Sequence, residues 1–305
     1  MLSVIVPAYN EEEAIEPFFR ELKKFLPRES EVLFVDDGSK DRTLPILQKL
    51  QKENKNIKIY SFRKNRGKSE ALTLGFQKAE GDLMLTIDAD LQDRPDQIEK
   101  LLKKQKEGFD IVSGWRKDRS DSLFKNITSK IFNSVSSIFF GLKVNDLNCG
   151  IKLYRKEAAR SLNLYGGMHR FIPLLLYQEG FRISEVPVQH DKRKFGKSKY
   201  NFTKVFTELP DMGTMLFLSK YSKRPLHFFA PFGGVIFSFG FMILVYLSII
   251  WLSGEPIGGR PLLFLGMILL ISGLQILFTG FLADLFINKT TKEKNEEIML
   301  KYKSD

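Results

Sequence analysis

Short apolar runs at residues 2–6, 32–35, 57–62, 83–87 and 110–114 alternate with longer segments in which apolar residues recur at helical spacing. After the first run, Ile15, Phe18, Phe19, Leu22 and Phe25 share one helix face; after the second, Leu44, Leu47 and Leu50 do. Parallel strands need a long crossover between them, usually a helix, so this alternation specifies an α/β domain with a mainly parallel sheet. Ligands of such sheets bind beyond the carboxyl ends of the strands. Here those ends are polar: Pro7-Ala8-Tyr9, Asp36-Asp37, Asp88-Ala89-Asp90 and Gly114-Trp115-Arg116. Local rules set further expectations. Pro7 stops the first strand, Asn10 caps a helix whose first turn holds Glu11, Glu12 and Glu13, and Ser39 or Asp41 caps the next. A helix is expected from 95 to about 106, a short strand at 151–154, and an edge strand at 186–188, where Pro187 cannot donate to a ladder.

Residues 81–95 read G-D-L-M-L-T-I-D-A-D-L-Q-D-R-P, an apolar run followed at once by Asp88, Asp90 and Asp93. On an extended backbone Asp88 and Asp90 point the same way. Two like charges held that close are costly unless a cation lies between them. Hard oxygen donors at a strand end suit Mg²⁺ or Mn²⁺, bridging to a phosphate. A polar turn explains one such cluster equally well, since Asp favours turns; the convergence of several polar strand ends favours a site.

The net charge of +11 and pI near 9.5 call for an anionic partner. The chain has no nucleic-acid-binding motif, so nucleic acid is not the expected partner, and its longest apolar runs point to a membrane. Residues 228–252 and 261–283 carry no charge, and each exceeds the roughly 20 residues needed to span a bilayer. Lys220, Lys223 and Arg224 precede the first stretch, and Lys289, Lys292 and Lys294 follow the second. The positive-inside rule makes the pair a hairpin with both ends in the cytoplasm. Upstream, Phe202, Val205, Phe206, Leu209, Met212, Leu216 and Phe217 form an apolar stripe broken at Pro210, as in interfacial amphipathic helices. Residues 122–141 read as a helix lying across the domain, and 190–199 as a basic run facing solvent or anionic lipid. The single cysteine, Cys149, allows no internal disulfide and suits a reducing compartment. The N-terminus has no basic leader or cleavage site and reads directly as a strand. The expected organisation is an α/β domain at 1–200, interfacial helices at 201–224, a transmembrane hairpin at 225–287 and a charged tail at 288–305.

The motifs V-I-V-P-A-Y-N-E at 4–11, V-D-D-G-S-K-D at 35–41, D-A-D-L-Q-D at 88–93 and S-G-W-R at 113–116 resemble those of family-2 glycosyltransferases with the GT-A fold. D-L-N-C-G-I-K-L-Y-R-K-E at 146–157 and R-K-F-G-K-S-K at 193–199 narrow the resemblance to polyprenol-phosphate glycosyltransferases, the dolichol-phosphate mannose synthases and bacterial undecaprenyl-phosphate sugar transferases. The resemblance covers about residues 2–200. It implies that Pro7, Tyr9 and Glu11 line the nucleoside and that Val35 and Asp37 hold base and ribose. Asp88, Ala89 and Asp90 then meet ribose, diphosphate and metal, and Asp90 and Gln92 hold the Mg²⁺ or Mn²⁺, with Asp88 acting directly or through water. Arg116, Arg193 and Lys199 neutralise the diphosphate and acceptor phosphate. Lys152, where dolichol-type members often carry Arg, is a further acceptor-phosphate contact, and Asp146 is a base or an orienting group.

The implied activity is that of a membrane-bound inverting enzyme moving a hexose from a UDP- or GDP-linked donor to a polyprenyl phosphate at the cytoplasmic face. Homo-oligomerisation is compatible with it. A processive polysaccharide synthase is a rival, but such enzymes carry a Q-x-x-R-W motif that is absent here. A non-catalytic nucleotide-binding membrane anchor is another, opposed by the presence of Asp88, Asp90 and Gln92 beside the basic frame.

Overall fold

The computed structural model describes residues 1–117, 141–142, 144–191, 213, 217, 221 and 224–290. The chain divides into two compact units, Met1–Asp211 and Met212–Asp305.

The first unit is a seven-stranded sheet flanked by helices. Along the chain it comprises β1 (Leu2–Ala8), α1 (Ile15–Phe25), β2 (Ser30–Asp36), α2 (Thr43–Glu53), β3 (Ile57–Ser61), α3 (Lys68–Lys78) and β4 (Leu83–Thr86). A 3₁₀ turn at Pro95–Gln97 leads into α4 (Ile98–Gln105) and β5 (Ile111–Arg116). Then come β6 (Lys152–Arg155), α5 (Lys156–Ser161), a 3₁₀ turn at Met168–Phe171, α6 (Ile172–Gln178) and β7 (Ile183–Val188). The spatial order is β3-β2-β1-β4-β6-β5-β7. β6 is antiparallel to both β4 and β5, while the other pairings are parallel. This puts the amino end of β6 beside the carboxyl ends of its neighbours, with Lys152 opposite Thr86 on one side and Ser113 on the other.

Alternation along β1 builds two cores. Val4 and Val6 pack with Ile15, Phe18, Leu22, Leu47 and Leu101 on one face of the sheet. Ile5 packs on the other with Leu72, Phe76, Ala158, Ile172 and Leu176. Buried on both sides, the central strands are mainly apolar, as parallel strands covered by helices should be, with Ser3, Glu31 and Thr86 among the buried polar exceptions. Phe76 meets Tyr154 edge to face at 5.1 Å.

Several local expectations are corrected. Pro7 does not stop β1, which runs on to Ala8; a proline lacks only the donor, and its carbonyl side still pairs. Asn10 is not a helix cap: it has φ 55°, and α1 begins five residues later at Ile15. Its amide donates to Ser39 Oγ and its Oδ1 accepts from the Lys40 amide, tying the loop after β1 to the loop after β2. Asp41 does serve the start of α2, accepting from the Thr43 amide at 3.0 Å. Asp88 and Asp90 lie past the end of β4 in a turn, not on extended backbone. β7 is the edge strand at that end of the sheet, Pro187 included.

In the second unit, α7 (Leu226–Leu252) and α8 (Pro261–Thr290) are long and apolar enough to cross a membrane. Both extend beyond the expected spans of 228–252 and 261–283. Glycines fall at heptad spacing where they meet: 233 and 240 on α7, and 266, 273 and 280 on α8. A Cβ at Gly240 would lie 2.8 Å from the Gly266 carbonyl oxygen, and one at Gly273 equally near that of Gly233. Small residues permit this backbone approach, the usual device where lipid removes any hydrophobic drive to associate. The outward faces stay apolar: Phe232, Ile249 and Phe278 are each 61% exposed. The expected helix at 122–141, Arg193, Lys199, most of the segment 201–224 and the tail from 291 onward lie outside the described residues.

Candidate active site

The carboxyl ends of β1, β2, β4 and β5 form one rim, and side chains from each are pinned there. Asp37, just past β2, accepts from the Arg66 amide at 2.7 Å, the Gly67 amide at 2.9 Å and Asn65 Nδ2 at 2.8 Å. It therefore fixes the loop that launches α3, and burial raises its pKa above the usual carboxylate range. Asp36 beside it accepts from Ser61 Oγ at 2.6 Å. Tyr9 and Glu11 are partly exposed on the same rim. Val35 and Ala89 are 0% and 3% exposed, so their side chains belong to the interior and only their backbone can face a ligand.

The turn after β4 is held from several sides. Both Asp88 oxygens lie on Lys68 Nζ, at 2.6 and 2.7 Å. Burial alone would raise the Asp88 pKa, but the Lys68 ammonium outweighs it and holds the carboxyl below its usual range. Leu91 has φ 58°, a strained conformation for a branched side chain. The strain bends the chain so that Asp90 Oδ1 accepts from the Gln92 amide at 3.2 Å. It is held in place by Asp93, which is 3% exposed and meets His190 Nδ1 at 3.1 Å, and by the Asp191 amide, which donates to the Gln92 carbonyl at 2.9 Å. Asp93 is thus an internal tether rather than a third member of an acidic cluster.

Among the described residues no group of three His, Cys, Asp or Glu side chains makes a metal cage. Asp90 and Gln92 still fit Mg²⁺ or Mn²⁺: these ions keep several waters and are commonly held by one or two protein oxygens together with substrate phosphates. Asp88, occupied by Lys68, is the weaker candidate of the three.

Arg116, the last residue of β5, makes a two-pronged pair with Asp146: Nε to Oδ2 at 2.7 Å and Nη2 to Oδ1 at 3.0 Å. Their side chains are 14% and 3% exposed. Burial would lower the Arg116 pKa, but Asp146 raises it above its ordinary value, so the guanidinium stays charged. Asp146 is itself seated by its amide donating to Glu185 on β7. Lys152 does not sit with Arg116 on the exposed rim. It is 3% exposed, and its ammonium donates to the Cys149 carbonyl. Beside it His169 accepts or donates at 2.9 Å to Ser69 Oγ, and burial, reinforced by Lys68, lowers its pKa to about 3.

Sequence reasoning singled out neither Lys68 nor Gly150. Lys68 was detectable as the cation ending N-R-G-K before a helix, though its partner lies 20 residues on. Gly150 carries no local signal; its reason is space, because a side chain there would run into Asp88 and Asp93.

A mostly parallel sheet with one strand turned back at its centre and an acidic turn at its rim is a GT-A-type glycosyltransferase fold. The sequence model described as "Glycosyl transferase family 2" matches residues 3–162. The chain is 34% identical over 293 residues to the dodecaprenyl-phosphate galacturonate synthase of Rhizobium johnstonii (strain DSM 114642 / LMG 32736 / 3841), covering 93% of this chain and 87% of that one. The chain belongs to glycosyltransferase family 2. Among solved structures it is similar to residues 1–349 of S. aureus TarS in complex with UDP-GlcNAc, with TM-score 0.52, 22% identity and coverage of 71% of this chain and 66% of that one. It is also similar to glucosyl-3-phosphoglycerate synthase from Mycobacterium tuberculosis in complex with Mn²⁺, UDP and glucosyl-3-phosphoglycerate, with TM-score 0.52, 20% identity and coverage of 72% and 78%. Both likenesses concern the fold.

Proposed function

We propose that this glycosyltransferase moves a hexose from a UDP- or GDP-linked donor to a polyprenyl phosphate, with inversion, at the cytoplasmic face of a membrane. The observation that carries the reading is the pairing of an acidic, strained turn (Asp88–Gln92) with a preformed guanidinium (Arg116–Asp146) on the rim of a chain that also holds two lipid-length helices. The relative named for dodecaprenyl phosphate and galacturonate supports the acceptor class. The hexose class includes uronic acids such as the sugar in that name.

In this reading Pro7, Tyr9, Glu11 and the backbone of Val35 and Ala89 border the nucleoside, and Asp37 keeps the 65–67 loop in shape beneath it. Asp90 and Gln92, with Asp88 at the margin, hold Mg²⁺ or Mn²⁺, which when bound offsets the charge of the leaving diphosphate. A phosphate monoester has its second pKa near 6, so at pH 7 the acceptor is already mostly a dianion and needs little help from a base. One of its oxygens forms the new bond to the anomeric carbon; the bond from that carbon to the donor diphosphate breaks, and the nucleoside diphosphate leaves with the electron pair. Arg116 neutralises charge along this path, Asp146 orients it, and Arg193 and Lys199 add to the basic frame. The flanking Lys and Arg residues support a hairpin with both ends, and with them the α/β domain, on the cytoplasmic side.

The test is nucleoside diphosphate release by the purified full chain across a panel of nucleotide sugars. Release that requires polyprenyl phosphate, is abolished by EDTA and returns with Mn²⁺ supports the reading. Release equal without lipid, or unaffected by chelation, contradicts its acceptor or its metal.

A further inference from the structure

Behind the acidic turn lies a narrow pocket walled by Lys68, Asn148, Cys149, Lys152, Tyr154 and His169, roomy enough for little more than one oxygen-sized group. Its two lysines are not equally paired. Lys68 is neutralised by Asp88, the two side chains being about a third exposed at 34% and 31%. His169 is neutral at physiological pH, its pKa lowered to about 3 by burial first and then by Lys68. Lys152 is 3% exposed; among the described residues its ammonium donates to the Cys149 carbonyl and has no carboxylate in ion-pair range. Burial pushes the Lys152 ammonium below its ordinary pKa and Lys68 nearby adds to the effect, while the Asp146 and Asp88 carboxylates farther off offset only part of it. A buried cation with no direct ion pair costs free energy that an anionic ligand in contact with it would return.

The pocket shares Lys68 with Asp88, and Asp88 begins the turn on which the donor diphosphate would rest. A group entering there is therefore carried by the sugar that follows the diphosphate. We propose that this sugar bears a carboxylate, that the donor is a nucleotide-linked uronic acid, and that Lys152 receives one of its carboxylate oxygens; this rests on the donor-site reading above. A hydroxymethyl at the same carbon would offer a hydrogen-bond acceptor to Lys152 but no charge. Lys152 then acts as a specificity residue for the donor rather than as a contact to the acceptor phosphate.

Donor pairs that differ only at C6 test this: UDP-glucuronic acid against UDP-glucose, UDP-galacturonic acid against UDP-galactose, and GDP-mannuronic acid against GDP-mannose. Each is offered to the full chain in detergent with polyprenyl phosphate and Mn²⁺. A hydrogen bond to a charged group implies that at least one uronic acid exceeds its neutral partner in kcat/KM by about 10- to 100-fold. Lys152→Met, which keeps the length and removes the charge, should collapse that ratio toward unity, mainly through KM. A wild-type ratio at or below unity in every pair overturns the inference, whether or not the variant folds. So does a ratio that survives in a folded Lys152→Met protein. Lipid-linked product from neutral hexoses alone leaves the glycosyltransferase reading standing and removes only this one. No lipid-linked product from any donor removes both.

Discussion

Gly150→Ala puts the smallest possible side chain at the most crowded point of the site. Its Cβ would lie 2.8 Å from Asp88 Oδ2 and 3.0 Å from Asp88 Cγ, and closer still to Asp93 Oδ2. Both carboxylates are short side chains already held, Asp88 by Lys68 at 2.6 and 2.7 Å and Asp93 by His190 at 3.1 Å. The backbone is fixed as well, since Thr86 Oγ1 donates to the Gly150 carbonyl at 3.0 Å. One carboxylate must therefore leave its partner. Overpacking of this kind costs about 1–3 kcal/mol. The partly exposed Lys68–Asp88 pair adds no more than about 1 kcal/mol. Function should suffer more than stability, because a displacement on the order of 1 Å at the reacting centre costs about a hundredfold in rate. Chemical unfolding and transfer rate measured on one preparation separate the two effects. A variant with wild-type stability and wild-type kcat would refute the claim that Asp88 and Asp93 are locked around this glycine.

Further outcomes follow from the same geometry. Removing one partner of a buried pair costs about 3–5 kcal/mol, so Asp146→Asn, which removes the negative charge and one of the two acceptor oxygens facing Arg116, should be visibly destabilised. If Asp146 only orients, Arg116→Ala should be slower than Asp146→Asn at pH 8, and the pH–rate profile of Asp146→Asn should keep its wild-type shape; an Asp146→Asn variant that is the slowest at every pH would make it a base. His169 has a pKa of about 3 in the folded chain against about 6.5 unfolded, so the unfolded state takes up the proton first. Stability from this group is full above 6.5 and falls by at most about 1.4 kcal/mol per pH unit as pH drops toward 3. His169→Gln should flatten that slope in unfolding curves recorded between pH 4 and 7, and an unchanged slope would show that other groups carry it. Gly240→Leu should prise α7 from α8, since a Cβ there would already meet the Gly266 carbonyl oxygen at 2.8 Å. Cross-linking between cysteines placed on the two helices should drop in that variant, and unchanged cross-linking would contradict the packing.

The strands were legible because β-branched, apolar runs of the right length ended in polar residues, and the two long helices because their uncharged stretches exceed the length that spans a bilayer. The position of β6 was not. The run at 152–155 looks like any short strand, and nothing local says that it turns back between β4 and β5. That reversal brings Lys152 to the rim edge yet buries it, which is why a residue read as a phosphate contact proves to be interior. Asp88, Asp90 and Asp93 were readable as carboxylates but not as three different jobs. Lys68 claims the first, the strained turn at Leu91 aims the second, and His190, 97 positions away, tethers the third. Asp37 was identified as a site residue, while its hold on the 65–67 loop depended on a pairing no spacing rule predicts.

The central claim is transfer to a lipid phosphate, and the mass of the lipid product tests it most directly. Purified full-length protein is incubated in detergent with Mn²⁺, a panel of UDP- and GDP-linked sugars, and either polyprenyl phosphate or the corresponding unphosphorylated polyprenol. The account predicts a glycosylated polyprenyl phosphate bearing one sugar, formed in step with nucleoside diphosphate and absent with the polyprenol. Sugar delivered to water, to a growing polysaccharide or to the polyprenol itself, with no lipid-phosphate product from any donor, would contradict it.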